Sequence, residues 1–220
     1  MFYRLFWPVV KVYERSIRLA ERSKEPYATH VPILVGVAAA FKPKSIIEFG
    51  SGAFSTVSFL DEAAYPSIRI VDSYENNRDW FDQMRQKLPS SKRVNLHFVE
   101  GEMYKAVSTA KPSAADLIFI DDSPTAKARV PTVEEVARSC GTQPLVVLHD
   151  NDLRVLRRAT RKFEHRISIS TFNPQCSVMW HGHPERAAIL RRVAGIIRDH
   201  GASIPVTDFR EWAKVFSQEL

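Results

Sequence analysis

The chain has 220 residues, 45% hydrophobic and 25% charged, with a net charge of +6, an ordinary globular balance with enough chain for one sizeable core. Cys140 and Cys176 are too few for a disulfide framework and form no Cys-x-x-Cys pair, which points to a reducing, cytoplasmic setting. No stretch approaches the roughly 18 unbroken apolar residues of a membrane span, and the aromatic start, Met1 to Val12, is broken by Arg4, Pro8 and Lys11 with no small-residue cleavage site after it.

In chain order, residues 9–23 and 30–41 read as helices. The first belongs to an N-terminal segment, 1–29, that suits a lid or a dimerisation element. Ser45 to Phe49 is a strand, Ser55 to Ala64 a helix, Ile68 to Ser73 a strand, and Arg78 to Leu88 a helix with Trp80, Phe81, Met84 and Leu88 on its apolar side. Val94 to Val99 alternates as a strand. Asp116 to Ile120 and Pro144 to Leu148 have the continuous apolar core of strands buried on both faces. Val133 to Ser139 is a helix. Leu153 to Phe163 is another, whose Arg154, Arg157, Arg158, Arg161 and Lys162 interleave with apolar residues at helical spacing. That pattern gives a solvated basic face rather than a nucleic-acid patch, so no nucleic-acid partner is expected. Alternating strands and helices imply a mostly parallel sheet. The end differs: Arg166 to Phe172 and Cys176 to Trp180 are separated by three residues, enough for a hairpin and too few for a crossover, so these strands are antiparallel. Helices over 184–200 and 206–220 follow. The chain reads as one domain, 1–220, with a core over 30–181 and a C-terminal helical extension over 182–220.

The chemistry gathers where strands end. The first strand runs into Glu48-Phe49-Gly50-Ser51-Gly52, whose glycines permit a tight turn and close approach of a ligand. Ser55 replaces the third glycine of a dinucleotide fingerprint, and Glu48 would repel a pyrophosphate but suit a cationic amino-acid end. Glu75, 23 residues after Gly52, is placed to accept hydrogen bonds from both ribose hydroxyls, with Asp72 as the fallback. After the third strand, Glu102 and Met103 offer a carboxylate and an apolar side chain to an adenine. The fourth strand ends in Asp121-Asp122 and the fifth in His149-Asp150-Asn151. Asp121, Asp150 and Asn151 are hard oxygen donors that suit Mg²⁺. His149 offers a rival: a neutral imidazole that takes a hydroxyl proton directly, oriented by Asp121 or Asp150. A purely structural His149 is the third reading.

As a set, Glu-x-Gly-x-Gly, the acidic tips, Asp-Leu-Ile-Phe-Ile-Asp over 116–121 and the final hairpin resemble the class I S-adenosylmethionine-dependent methyltransferases. The resemblance implies a Rossmann-like three-layer α/β fold with a seven-stranded sheet in the order 3-2-1-4-5-7-6, strand 7 antiparallel. It also implies S-adenosyl-L-methionine as cofactor, held around Glu48, Gly50, Ser51, Gly52, Ser55, Glu75, Glu102, Met103 and Asp121. The Asp121 and Asp150-Asn151 motifs are similar to those of catechol and caffeoyl-type O-methyltransferases. That implies Mg²⁺ on Asp121, Asp150 and Asn151, with Lys127 as base. The expected activity is O-methylation of a small-molecule hydroxyl on a sugar or a secondary metabolite, Mg²⁺-assisted. The alternatives are a metal-independent enzyme with His149 as base and an RNA methyltransferase using the basic surface. The aromatic N-terminus and the C-terminal helices can build a homodimer. His181 and His183 read as a turn, and Cys140 as a helix-end residue.

Overall fold

The computed structural model describes residues 26–89, 91–123, 125–151 and 154–220, without the side chain of Ala126. The helix expected over 9–23, most of the 1–29 segment, and Leu153 lie outside the described residues.

Seven strands form one sheet in the order β3-β2-β1-β4-β5-β7-β6. They are β1 Ser45–Phe49, β2 Ile70–Glu75, β3 Val94–Phe98, β4 Leu117–Ile120, β5 Leu145–Leu148, β6 His165–Ile169 and β7 Cys176–Trp180. β1 to β5 pair in parallel, and β7 runs antiparallel to both β5 and β6. Sheet order and strand direction are those expected from the sequence. Helices α1 Val31–Phe41, α2 Arg78–Lys87, α3 Tyr104–Ala110, α4 Ala126–Ser139, α5 Arg154–Ala159, α6 Arg186–His200 and α7 Phe209–Glu219 surround the sheet.

Each strand feeds two cores because successive side chains point to opposite faces. Ile46, Leu117, Phe119, Leu145 and Val147 pack with α1, α6 and α7. Ile47, Phe49, Ile118, Ile120, Val146 and Leu148 pack with α3, α4 and α5. Carried past the strand ends, the same alternation sends Glu48, Asp121 and His149 toward the α1 face. Those three residues define the site.

Three elements differ from the sequence reading. The helix expected over 55–64 is a series of turns with one 3₁₀ segment, Ser58–Leu60. Its polar side chains compete for the backbone: Thr56 Oγ1 accepts from the Gly52 N–H, and Asp61 Oδ1 accepts from the N–H groups of Ala63 and Ala64. α3 has no counterpart in the sequence reading, because only Ala106 and Val107 of its seven residues are buried. α4 starts at Ala126 rather than Val133 and contains Pro131. A proline normally marks a helix boundary; here the segment before it is helical and carries Arg129 inward.

Candidate functional site

β1 brings Glu48 to a fully buried position. Its Oε2 accepts hydrogen bonds from Thr56 Oγ1 at 2.6 Å and Ser73 Oγ at 2.5 Å. Its Oε1 has no hydrogen-bond partner among the described residues. Burial pushes the carboxyl up to about 7, against the lowering effect of the Ser55, Ser73 and Thr56 hydroxyls. Gly50 then turns the chain with φ +90°, and a Cβ there would lie 2.3 Å from the Asp121 carbonyl oxygen. Glycine is therefore demanded both by the turn and by the close approach of the β4 end. Ser51 Oγ donates to Glu75 Oε2 at 3.2 Å, and the Asn77 N–H donates to Glu75 Oε1 at 2.7 Å. Trp80 is no core residue: its indole N–H donates to the Ser51 carbonyl at 2.6 Å, which seats the ring against the glycine turn.

The remaining cofactor candidates separate. Glu75 stands at the tip of β2, whereas Asp72 Oδ1 accepts from His97 Nε2 at 2.8 Å and Asn95 Nδ2 at 3.0 Å on the neighbouring strand. Glu102 is exposed, and Met103 is buried in the α3–α5 core. Ser55 is buried and Gly52 partly so.

At the ends of β4 and β5, Asp121, His149 and Asp150 meet. His149 is 2% exposed, with Nδ1 3.1 Å from Asp121 Oδ2 and Nε2 3.0 Å from Thr29 Oγ1. Asp150 Oδ1 lies 3.5 Å from the same Nε2. His30, just before α1, lies with its ring centroid 4.7 Å from that of His149, edge to face, and 4.8 Å from that of Phe119. Neither ring nitrogen of His30 has a hydrogen-bond partner among the described residues. Burial, with His149 beside it, pushes its imidazole down to about 3, so it is neutral. Donor atoms of His30, Asp121 and His149 lie within 4.8 Å of one another.

Arg129 completes this end of the site. It is 3% exposed, with Nη2 2.7 Å from Asp121 Oδ1, Nη1 3.4 Å from Asp150 Oδ2 and Nε 3.7 Å from Asp122 Oδ1. Its Nη1 also donates to the His149 carbonyl at 2.9 Å. Burial would raise Asp121, but its hydrogen bond to His149 and the Arg129 charge hold it below the usual carboxylate range. Asp122, hydrogen-bonded by Thr132, is pushed up to about 7 by burial. Asn151 is buried: its Nδ2 donates to Ser177 Oγ, and its Oδ1 has no hydrogen-bond partner among the described residues. Lys127 is exposed on the first turn of α4, two residues from the inward-pointing Arg129. Two of the three donors expected for Mg²⁺, Asp121 and Asp150, already hold the Arg129 guanidinium, and a second cation between them does not fit. Arg129, His30 and Thr29 were not singled out as functional from the sequence; the signal for Arg129 was an arginine eight residues after an Asp at a strand tip.

No protein-family model matches the sequence, and no curated protein matches it. Solved structures match the whole architecture. Human methyltransferase-like protein 13 in complex with SAH has a TM-score of 0.53 at 17% identity, over 84% of this chain and 94% of that one. This is the class I methyltransferase fold. Spermidine synthase from Thermotoga maritima shares it with a TM-score of 0.56 at 13% identity, over 86% of this chain and 75% of that one. A methyltransferase from Geobacter sulfurreducens has a TM-score of 0.50 at 17% identity, over 79% and 89%. Open α/β sheets bind ligands outside the carboxyl ends of their strands, and here that rim carries Glu48, Glu75, Asp121 and His149. Among the described residues, no helix is long and apolar enough to cross a membrane.

Proposed function

We propose that the chain is an S-adenosylmethionine-dependent methyltransferase acting on a hydroxyl of a small molecule, a sugar or a secondary metabolite, with the His149–Asp121 pair taking the proton. The observation that carries this reading is the fully buried Glu48 carboxylate beside the Gly50 turn, whose Oε1 makes no well-formed hydrogen bond among the described residues, although the Ser55 hydroxyl acts on the carboxyl. A buried carboxylate oxygen without a partner is costly, and the ammonium end of an amino-acid-bearing ligand would complete it. Glu75, at the next strand tip, suits the ribose hydroxyls. When bound, S-adenosylmethionine supplies an electrophilic methyl group on a sulfonium, so the protein's task is alignment and removal of one proton.

The hydrogen bonds around His149 allow it to take that proton while buried. With its proton on Nδ1, the neutral ring donates to Asp121 and accepts the Thr29 hydroxyl on Nε2. Once Nε2 is protonated, it donates to the Thr29 oxygen, and the Thr29 hydroxyl turns to the Pro174 carbonyl at 3.0 Å. Both charge states leave every nitrogen of the ring hydrogen-bonded. Asp121 stabilises the imidazolium, and its carboxylate, 25% exposed against 2% for His149, is the part of the pair that meets the crevice. The acceptor oxygen forms its bond to the methyl carbon as the carbon–sulfur bond breaks, and the hydroxyl proton passes by way of Asp150 Oδ1, on a side chain 40% exposed and 3.5 Å from Nε2, to the imidazole.

Calorimetric titration with S-adenosylhomocysteine (SAH) and with NAD tests the cofactor; SAH should bind and NAD should not, and a chain that binds neither ends the reading. Transfer of labelled methyl to a panel of hydroxyl and amine acceptors tests the chemistry. His149→Ala should keep SAH binding and lose transfer. Methyl transfer to amines alone would overturn the hydroxyl part of the reading.

A further inference from the structure

The sequence places a divalent cation between Asp121 and Asp150, and the structure places a cation there that belongs to the chain. The Arg129 guanidinium bridges the two carboxylates and binds the backbone behind them through the His149 and Ser123 carbonyls. Its planar, delocalised charge and fork of donors match paired carboxylates and backbone oxygens without needing water. Mg²⁺ would demand octahedral oxygen ligands and retained waters, in a space where a second positive charge would sit against the guanidinium. The bridge also reaches the proton acceptor. Asp121 gives Oδ1 to Arg129 and Oδ2 to His149, so the carboxylate that orients the imidazole is itself oriented by the arginine.

We propose that Arg129 is a positioning residue that replaces a metal ion: it pairs with Asp121 and Asp150, fixes Asp121 against His149, and excludes an oxygen-ligated cation of the Mg²⁺ class from between the two carboxylates. The part that concerns His149 rests on the methyl-transfer reading; the exclusion of that cation does not. Thr125 caps the start of α4 through the Ala128 N–H, and the helix carries Arg129 inward one turn later, so the cation is delivered by a rigid element.

Mn²⁺ is the probe, titrated into the full chain and followed by electron paramagnetic resonance, with SAH affinity measured in parallel with and without chelator. The wild-type chain should bind no Mn²⁺ at this site, and chelator should leave SAH affinity unchanged. Arg129→Ala exposes Asp121, Asp122 and Asp150 to one another and should gain Mn²⁺ binding by an order of magnitude or more. Arg129→Lys keeps a positive charge and should abolish that gain, a rescue that a merely structural arginine does not predict. One Mn²⁺ per wild-type chain, lost in Asp150→Asn, overturns the proposal. So does a folded Arg129→Ala chain that binds SAH and still no Mn²⁺. Should Arg129→Ala fail to fold, the wild-type titration and the chelator arm still decide it. Loss of SAH binding with the Mn²⁺ pattern intact would end the methyl-transfer reading and leave the built-in cation standing.

Discussion

Glu48 is a carboxylate whose environment opposes its charge. Burial raises it from 4.5 to about 7, so the stability it contributes is present below its unfolded value and is lost as pH rises toward 7. An ammonium group bound at the free Oε1 would reverse that preference and pull the group back to the ionised form. Below neutrality the ligand must then displace a proton to bind. In the proposed reading, SAH affinity falls about tenfold for each pH unit below 7, and binding there releases close to one proton. Glu48→Gln has no proton to release, so its weaker affinity should be flat across the same range. Titrations in buffers of different ionisation enthalpy would count the proton; a wild-type affinity independent of pH between 5.5 and 7.5 would falsify the assignment of Glu48 to a cationic ligand end.

At the scale of elements, α1 is where the site meets the outer layer. His30 stands just before it and Thr29 one residue earlier, while Gly36, one and a half turns on, faces α6 and α7. A Cβ at Gly36 would lie 2.5 Å from Phe216 Cζ and 2.7 Å from Val193 Cγ1, and Phe216 is fully buried, so its ring has no room to retreat. Gly36→Ala should therefore destabilise the chain by about 1–3 kcal/mol despite alanine's better helix propensity, read as a lowered urea midpoint; a neutral or stabilising substitution would show that α7 is loosely seated. The elements also show what the sequence makes legible. β4 and β5 are apolar runs of strand length between turn residues, as central parallel strands are, so both were readable along with the short-looped hairpin. The placement of Glu48, Gly50 and Glu75 at or next to the ends of β1 and β2 was readable because a strand's end fixes its rim. The metal triad was not, for a backbone reason. Asp150 adopts φ +57°, which breaks the strand's alternation, so the direction of Asn151 does not follow from its position. Arg129 was hidden by Pro131, which reads as a boundary in sequence but lies inside α4. Thr29 and His30 sit about 120 residues from His149 in the chain, and no local spacing announces that contact.

The described residues form two cores on one sheet, and the strands cannot be divided between them. Ile118 and Phe119 are adjacent in β4 yet belong to opposite cores, as do Val146 and Val147 in β5. Losing either core would strip one face of strands that the other core needs, so unfolding should be a single transition, with backbone circular dichroism and tryptophan fluorescence coincident. Three of the four tryptophans lie among the described residues: Trp180 and Trp212 are buried in the α1 face, and Trp80 is hydrogen-bonded to the glycine turn, so Trp7→Phe leaves these three as reporters. The rim where Glu48, Glu75, Asp121 and His149 gather is built from β1, β2, β4 and β5, so a ligand there ties the central strands together. SAH at about a hundred times its dissociation constant should add about 2.7 kcal/mol to stability. For a chain of this size, that is a rise of roughly 5–10 °C in melting temperature. All probes should move together. Two separated transitions, or a shift seen by Trp80 and not by Trp180 and Trp212, would mean that the glycine turn binds its ligand as a local element and that the sheet does not couple the two cores.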